Sequence, residues 1–441
     1  MKKWFTIFAI ILLGILVYAL SFFETFSGSP QKEKAAKPKS SERTELTFWR
    51  NSGNTAENKA FEELVSVFEK ENPDISVNMK SIPYSDYEIR LRTELAAGNP
   101  PDILTIDSPT LALYANTGSL LSIDPFMRKE GQIDDIPAST LRGLSYKGQI
   151  YLAPIVESSI ALYYNRHLFK DAGIPYPSED PKNPLTWDEV LEIAKKVNNP
   201  AKDVIGIDPA QGFNDGESPA YFKTPLLWQF GANILSPDGT TASGYLDSKE
   251  ALDALQFYQD LYHKNAVAAF ELPPAVFESG KLAMTVLGSW TLADLEKNHP
   301  EFKLGEDFGI TPLPKDKYQF VPNGGWALGI TSKSRHPQEA WKFIKYVTSY
   351  EGMKKYVTIT GDIPARFSVA KAFPELNKYP KNIFLQQTQK FSKNRPVTPA
   401  YPVVSEAIRT LFEDVGIGGK DVKTSAREAV EKINIGLKEI Q

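Results

Sequence analysis

The 441-residue chain contains no cysteine. Disulfide scaffolds, thiolate catalysis, cysteine-ligated zinc and iron–sulfur clusters are therefore excluded together. The lipidated cysteine that tethers many exported bacterial proteins is excluded with them. Histidine is scarce: His167, His263, His299 and His336 are scattered, with no i,i+4 pair and none beside a nucleophile. The phosphate-cradling and nucleophile motifs G-x-G-x-x-G, G-x-x-x-x-G-K-[ST] and G-x-S-x-G are missing. Gly416-Ile417-Gly418-Gly419-Lys420 has no strand before it and reads as an interhelix turn. Asn214-Asp215-Gly216-Glu217 lacks the alternating ligands of a calcium loop and reads as a plain turn. No cofactor and no metal are expected.

Positive charge is not in excess either. With seven Lys/Arg and three Asp/Glu in residues 1–43 of a chain totalling 50 and 54, the body carries a net charge of −8. A body this acidic is not suited to binding nucleic acid by counterion release.

What the chain does have begins with one long uncharged run, Trp4 to Phe23, behind Lys2 and Lys3. It matches the ~20 residues of a membrane helix and exceeds the apolar region of a usual signal peptide. Residues 1–23 are thus expected to be an uncleaved anchor with the body outside; cleavage after Val17-Tyr18-Ala19 is the alternative. Residues 24–44, rich in Lys, Ser, Pro and Ala, read as a flexible linker.

The remaining length suggests two domains with exchanged segments. Leu46-Thr47-Phe48-Trp49 reads as a strand, followed by a helix from Asn54 with Glu57 as capping-box partner. Ile75, Val77 and Met79 alternate as a second strand, and Ser85 with Glu88 marks another helix start. Asp102 to Asp107 is nearly continuous apolar sequence, the pattern of a parallel strand buried on both faces. This rhythm is that of an open α/β sheet. Lys147 to Asn165 holds two strand-like runs broken by Pro154 and the polar Glu157-Ser158-Ser159, and reads as a junction between domains. Asp208 to Gly244 reads as loop-rich.

Ligands of open α/β sheets bind outside the carboxyl ends of the strands. That rule selects Trp49, Arg50, Asp107, Ser108, Glu157, Ser158, Ser289 and Trp290, with Gly324, Gly325 and Trp326 at a strand entrance, where glycines would let a ligand approach the backbone. Trp228 stands in the loop-rich region and Arg366 in a turn. Flat aromatics beside carboxylates and guanidinium groups suit a polyhydroxylated ligand. The same residues also serve as core, caps or interdomain ion pairs. Asp107 and Glu157 could instead face one another as a glycosidase pair.

The ordered segments LTFW, FEKENPDISV, GNPPDILTID, YKGQIYLAPIVESSIALYYNRHLFKDAGI, PLTWDEV, FESGKLAMTVLGSW, FGITPLP, GGWALGITSKSRHPQEAWKFIKYV and GDIPAR resemble those of bacterial extracellular solute-binding proteins. The resemblance is to the sugar ABC-importer type that includes maltose-binding protein, and it covers Glu45 to Gln441. It implies an α/β, periplasmic-binding-protein-like (type II) fold, two α/β lobes with a ligand cleft and crossing hinge segments. Lobe 1 would be 45–153 and 313–357, and lobe 2 would be 154–312 and 358–441. It implies ligand contacts at Trp49, Asp107, Glu157, Trp228, Trp290, Trp326 and Arg366. It further implies a carbohydrate ligand, permease subunits in the membrane as partners, a monomer, and no catalysis. The missing lipid-modified cysteine departs from the family's Gram-positive pattern. A membrane-anchored glycoside hydrolase and a sugar-sensing signalling subunit are the alternative readings.

Overall fold

The computed structural model describes residues 43–210 and 216–440. The expected anchor, nearly all of the linker, and Asn214 and Asp215 lie outside them. Among the described residues, no helix is long and apolar enough to cross a membrane.

Strand β1 (Thr44–Ser52) leads through Asn54 into helix α1 (Thr55–Glu71). The Asn54 side chain accepts from the Glu57 backbone N–H at 2.9 Å, and Ala60, Phe61, Leu64 and Phe68 form the buried stripe. The Glu57 carboxyl in turn interacts with the Asn54 backbone, as the expected capping box requires, and also pairs with Arg50. β2 (Ile75–Pro83) runs directly into α2 (Tyr84–Ala97), which starts behind Pro83 without a side-chain cap. Ser85 is therefore not the cap, and Glu88 accepts from the Tyr114 hydroxyl instead. β3 (Ile103–Asp107) is buried along its length except at Asp107.

The Lys147–Asn165 stretch divides into β4 (Leu152–Pro154), β5 (Val156–Glu157) and β6 (Ile160–Asn165). β4, β3, β1 and β2 belong to a five-stranded sheet in the order β2-β1-β3-β9-β4, where β9 is Trp326–Ile330. β1 pairs in parallel with β2 and β3, whereas β9 runs antiparallel to β3 and β4. Pro154 thus ends an edge strand, where the lost donor costs no ladder bond. β6 belongs to a different, three-stranded antiparallel sheet, flanked by β7 (Met284–Gly288) and β8 (Phe308–Thr311). The chain therefore leaves one sheet at Pro154 and enters the other at Ile160, and returns between β8 and β9.

Each sheet has its own apolar filling. Phe48, Phe61, Phe68, Phe343 and Tyr356 pack on one face of the first sheet, and Tyr87, Leu104, Tyr114 and Leu152 on the other. Beside the second sheet, Leu162, Trp187, Tyr258, Ile408 and Phe412 form the largest cluster, and Tyr163, Phe277, Phe308 and Phe384 a smaller one. Ala365 and Val369 join the filling of the first sheet, although they follow residue 358.

The region read as loop-rich contains a helix, Ser218–Phe230. Nearly all of it is buried, including Pro225 inside it. A helix buried all round, with Lys223, Thr224 and Gln229 among its buried residues, has no amphipathic period for a sequence reading to detect. The Gly416–Lys420 segment does connect two helices, Tyr401–Val415 and Val422–Lys438.

Candidate functional site

A cavity of about 450 Å³ opens where the two sheets face each other, a size typical of ligand pockets (about 300–1,000 Å³). From the first sheet come Asn51 and Ser52 at the end of β1 with Gly53 after it, Asp107 at the end of β3, and Trp326 at the start of β9. β5 supplies Val156 and Glu157. From the other side come Glu217, Tyr221 and Phe222 on the buried helix, and Trp290 and Asp294 after β7.

Two aromatic groups wall this space. Trp326 meets Tyr84 and Tyr87 edge-on, with ring centroids 6.2 and 5.8 Å away. Opposite, Trp290 lies 6.0 Å from Tyr221 and 6.1 Å from Phe222. Both tryptophans remain partly exposed, leaving ring area free for a ligand.

Arg395, buried to 3% exposure, joins the two sides. Its guanidinium donates to Asp107 at 3.1 Å and to Glu217 at 2.6 Å, and lies 5.0 Å from the Tyr221 ring centroid. Glu217 also accepts from the Tyr401 and Ser405 hydroxyls. Burial pushes its carboxyl above the usual range, with Arg395 acting against that.

Glu157 is buried, and burial raises its pKa to about 8, with the Thr140 hydroxyl as its hydrogen-bond donor. It is thus mostly neutral at pH 7. Asp362 is pushed to about 7, by burial first and then by Glu57.

Gly324 and Gly325 have a different role from the one their type suggested. Gly325 adopts φ +135°, and a Cβ there would fall 2.2 Å from the Val156 carbonyl oxygen. A Cβ at Gly324 would lie 2.7 Å from Ser158 Oγ and 2.5 Å from the Tyr221 ring. The glycines let the β5 crossing and the cavity wall close on the entrance of β9, and Ser158 and Gly324 form a backbone bridge there.

Of the residues selected from sequence, Asp107, Glu157, Ser158, Ser289, Trp290, Gly324, Gly325 and Trp326 line the cavity. Trp49, Arg50, Ser108, Trp228 and Arg366 do not. Trp49 packs among Tyr87 and Leu104, with Lys80 4.4 Å from its ring. Arg50 is fully buried, donating to Asn58 at 2.6 Å and pairing with Glu57 at 3.3 Å; it holds Glu57 in place from behind. Ser108 begins the short turn after β3. Trp228 is 2% exposed within its helix. Arg366 is committed elsewhere, donating to the Thr348, Gln132 and Gly131 carbonyls at 2.6, 3.2 and 2.8 Å.

Sequence reasoning did not select Arg395, Glu217, Tyr221, Tyr84, Asp294, Asp362 or Tyr356. Glu217 and Tyr221 ride on the helix that had no periodic signal. Arg395 lies in irregular chain two residues after the strand Ser392–Lys393, which at two residues is too short to show a pattern in sequence.

Among the described residues, no group of three or more His, Cys, Asp or Glu is placed to hold a metal ion. A second gap beside Trp187, Lys223 and Phe257 is only about 20 Å³, room for little more than one water.

Comparison with known proteins agrees with this arrangement. Residues 52–354 match the family model described as bacterial extracellular solute-binding protein. The maltotriose-binding protein of Pyrococcus abyssi is 25% identical over 396 residues, covering 88% of this chain and 80% of that protein. The maltodextrin-binding protein of Bacillus subtilis is 24% identical over 392 residues, covering 86% and 87%. Among solved structures, an ABC-transporter solute-binding protein from Thermotoga lettingae bound with alpha-D-tagatose superposes with a TM-score of 0.78. It shows 27% identity and covers 89% of this chain and all of that one. With its family model spanning most of its length and two facing sheets enclosing a solute-sized cleft, the chain belongs to the bacterial extracellular solute-binding proteins.

Proposed function

We propose that this protein is the extracellular substrate-binding component of a carbohydrate ABC importer. It captures a sugar or oligosaccharide by lobe closure and delivers it to permease subunits in the membrane. The observation that carries this reading is the cleft itself: two partly exposed tryptophans stand on opposite walls with polar side chains between them. Such surfaces suit the apolar faces and hydroxyl rims of sugar rings. The names of the Pyrococcus and Bacillus relatives, and the tagatose in the Thermotoga structure, support it.

Lobe 1 is assigned to 45–153 with 313–357, and lobe 2 to 154–312 with 358–441. The separate sheets support the first two boundaries. Ala365 and Val369 favour moving the last crossing a few residues beyond 358. A ligand touching both lobes favours the closed state by its contacts there. The protein acts as a monomer, held at the membrane by residues 1–23.

Ligand capture without catalysis is favoured over glycoside hydrolysis by the state of the two carboxyl groups. Asp107 is engaged by Arg395, and Glu157 is neutral and directed to Thr140. A hydrolase would need both side chains free to face a glycosidic bond between them, and each is held by a protein partner.

The test is tryptophan fluorescence of the full-length protein during titration with mono- and oligosaccharides. A saturable, micromolar response to a sugar is expected. Response to peptides or polyamines alone would overturn the reading, and release of shorter sugars during incubation would favour the hydrolase.

A further inference from the structure

The Glu57 carboxyl is fixed from three sides and still reaches the cleft. Arg50 pairs with it at 3.3 Å from the buried side, and the Asn54 backbone N–H donates to it at the head of α1. Gly53 gives it room, because a Cβ there would collide with Glu57 Oε2. Gly53, Asn54 and Glu57 all line the cavity, and the Glu57 side chain keeps 18% of its surface exposed. A carboxyl held in this way is pre-organised, so it loses little freedom when a ligand donates to it.

Tyr356 brings a donor to the same place. It stands on the helix Tyr350–Thr360 and packs edge-on against Phe61, with ring centroids 5.5 Å apart. Phe61 lies one turn beyond Glu57 on α1. The Arg50 guanidinium that pairs with Glu57 is 4.3 Å from the Phe61 ring centroid. Glu57 and Tyr356 thus flank one ring, and both line the cavity. Tyr356 is only 1% exposed, and its hydroxyl has no hydrogen-bond partner among the described residues. Glu57 and Asp362 are its charged neighbours, but neither accepts from it. A buried phenol normally finds a partner; here the partner must come from the cavity.

We propose that Glu57 and Tyr356 form a hydroxyl-recognition subsite for one neutral sugar ring, Glu57 accepting from the ring's hydroxyls and Tyr356 donating to them. This rests on the sugar-binding reading and names two residues that set its specificity. A sugar hydroxyl both donates and accepts, so one hydroxyl, or two on neighbouring carbons, satisfies both side chains at once. A carboxyl keeps an acceptor oxygen in either protonation state, so the match does not depend on charge. With Glu57 already paired to Arg50, an ammonium gains little there, and a ligand carboxylate has no hydrogen to give it. A ring lacking hydroxyls at that edge leaves both protein groups unpaired and is rejected.

The experiment is calorimetric titration of the full-length protein with tagatose, maltose, maltotriose and cellobiose, together with melting curves recorded without sugar. Tyr356→Phe, Gly53→Ala and Glu57→Gln are compared with wild type on whichever of the four sugars binds wild type most tightly. Tyr356→Phe and Gly53→Ala are each expected to weaken that sugar about tenfold or more. Their melting temperatures should stay close to wild type, because the phenol has no protein partner to lose and the added methyl displaces only the end of a side chain. Tyr356→Phe combined with Glu57→Gln should lose less than the two single losses multiplied, since both act on one ring. Unchanged affinity in Tyr356→Phe and Gly53→Ala overturns the subsite and leaves the sugar-binding reading standing. A fall in the melting temperature of sugar-free Tyr356→Phe also overturns it, by showing that the hydroxyl serves the fold. Failure of wild type to bind any of the four sugars overturns both.

Discussion

Arg395 and Asp107 meet at 3.1 Å although they are 288 residues apart in the chain. One lies in the C-terminal segment and the other at the end of a strand in the first sheet. The same guanidinium reaches Glu217 at 2.6 Å, so one side chain ties three distant segments together behind the cleft. Replacing it by alanine strands two half-buried carboxylates and empties the buried position between them. Arg395→Ala is predicted to lower unfolding free energy by about 3–5 kcal/mol, measured by urea denaturation. Arg395→Lys should recover only part of this, because an ammonium cannot reproduce the forked geometry. A loss below about 1 kcal/mol in the alanine variant would show that the triad is not a structural tie.

Glu157 sets a pH dependence whose sign can be worked out. Its carboxyl titrates near 8 in the folded protein against a usual 4.5, so the folded state holds the proton more tightly than the unfolded one. Stability is thus undiminished below about pH 4.5, falls as pH rises, and reaches its full loss above about 8. The loss is on the order of 4 kcal/mol. Asp362, near 7, acts in the same direction. Glu157→Gln should flatten the slope between pH 5 and 8, measured by urea midpoints at both values. An unchanged slope would contradict the buried, neutral carboxyl.

Trp290 and Trp326 are predicted to carry sugar affinity. Alanine at either should cost about 2 kcal/mol, roughly thirtyfold in Kd. Trp228→Phe should leave Kd unchanged, because Trp228 is buried within its helix away from the cavity. Calorimetry on the three variants separates the roles, and the reverse pattern would move the binding site.

Arg366 satisfies the carbonyls of Gly131, Gln132 and Thr348 in a buried setting. Arg366→Met should cost about 3 kcal/mol of stability, since three acceptors lose their donor. Ligand affinity of the folded fraction should not change. A selective loss of affinity would restore Arg366 to the site.

Much of the framework was legible because it rests on local rules. Asn54 caps the first helix as expected, Gly416–Lys420 joins two helices, and β3 is buried as its apolar run requires. The crossing at Pro154–Ile160 was legible because proline and a polar trio interrupt strand-forming sequence. The strand-end rule found Asp107, Glu157, Trp290 and Trp326 for the same reason: each sits where a pattern stops.

The rest depends on contacts that no local pattern encodes. Arg50 follows Trp49 at a strand end, yet β1 runs on to Ser52, so its side chain turns into the protein beneath α1. Arg366 was drawn out of the cleft by three carbonyls more than 15 residues away. Arg395, Tyr221 and Glu217 became neighbours only through the packing of a helix buried on all sides, whose sequence carries no amphipathic periodicity.

The near contact of Gly325 with the Val156 carbonyl has a consequence for retargeting this receptor. What fixes the meeting point of the two crossing strands is main-chain geometry, whereas what meets the ligand is side chains on separate walls. The two can be altered independently. Substitutions at Trp290 or Trp326 would be expected to change the cargo without touching that main-chain contact. A single methyl group at Gly325 would fall against the Val156 carbonyl and is expected to force β5 and β9 apart while both tryptophans stay intact.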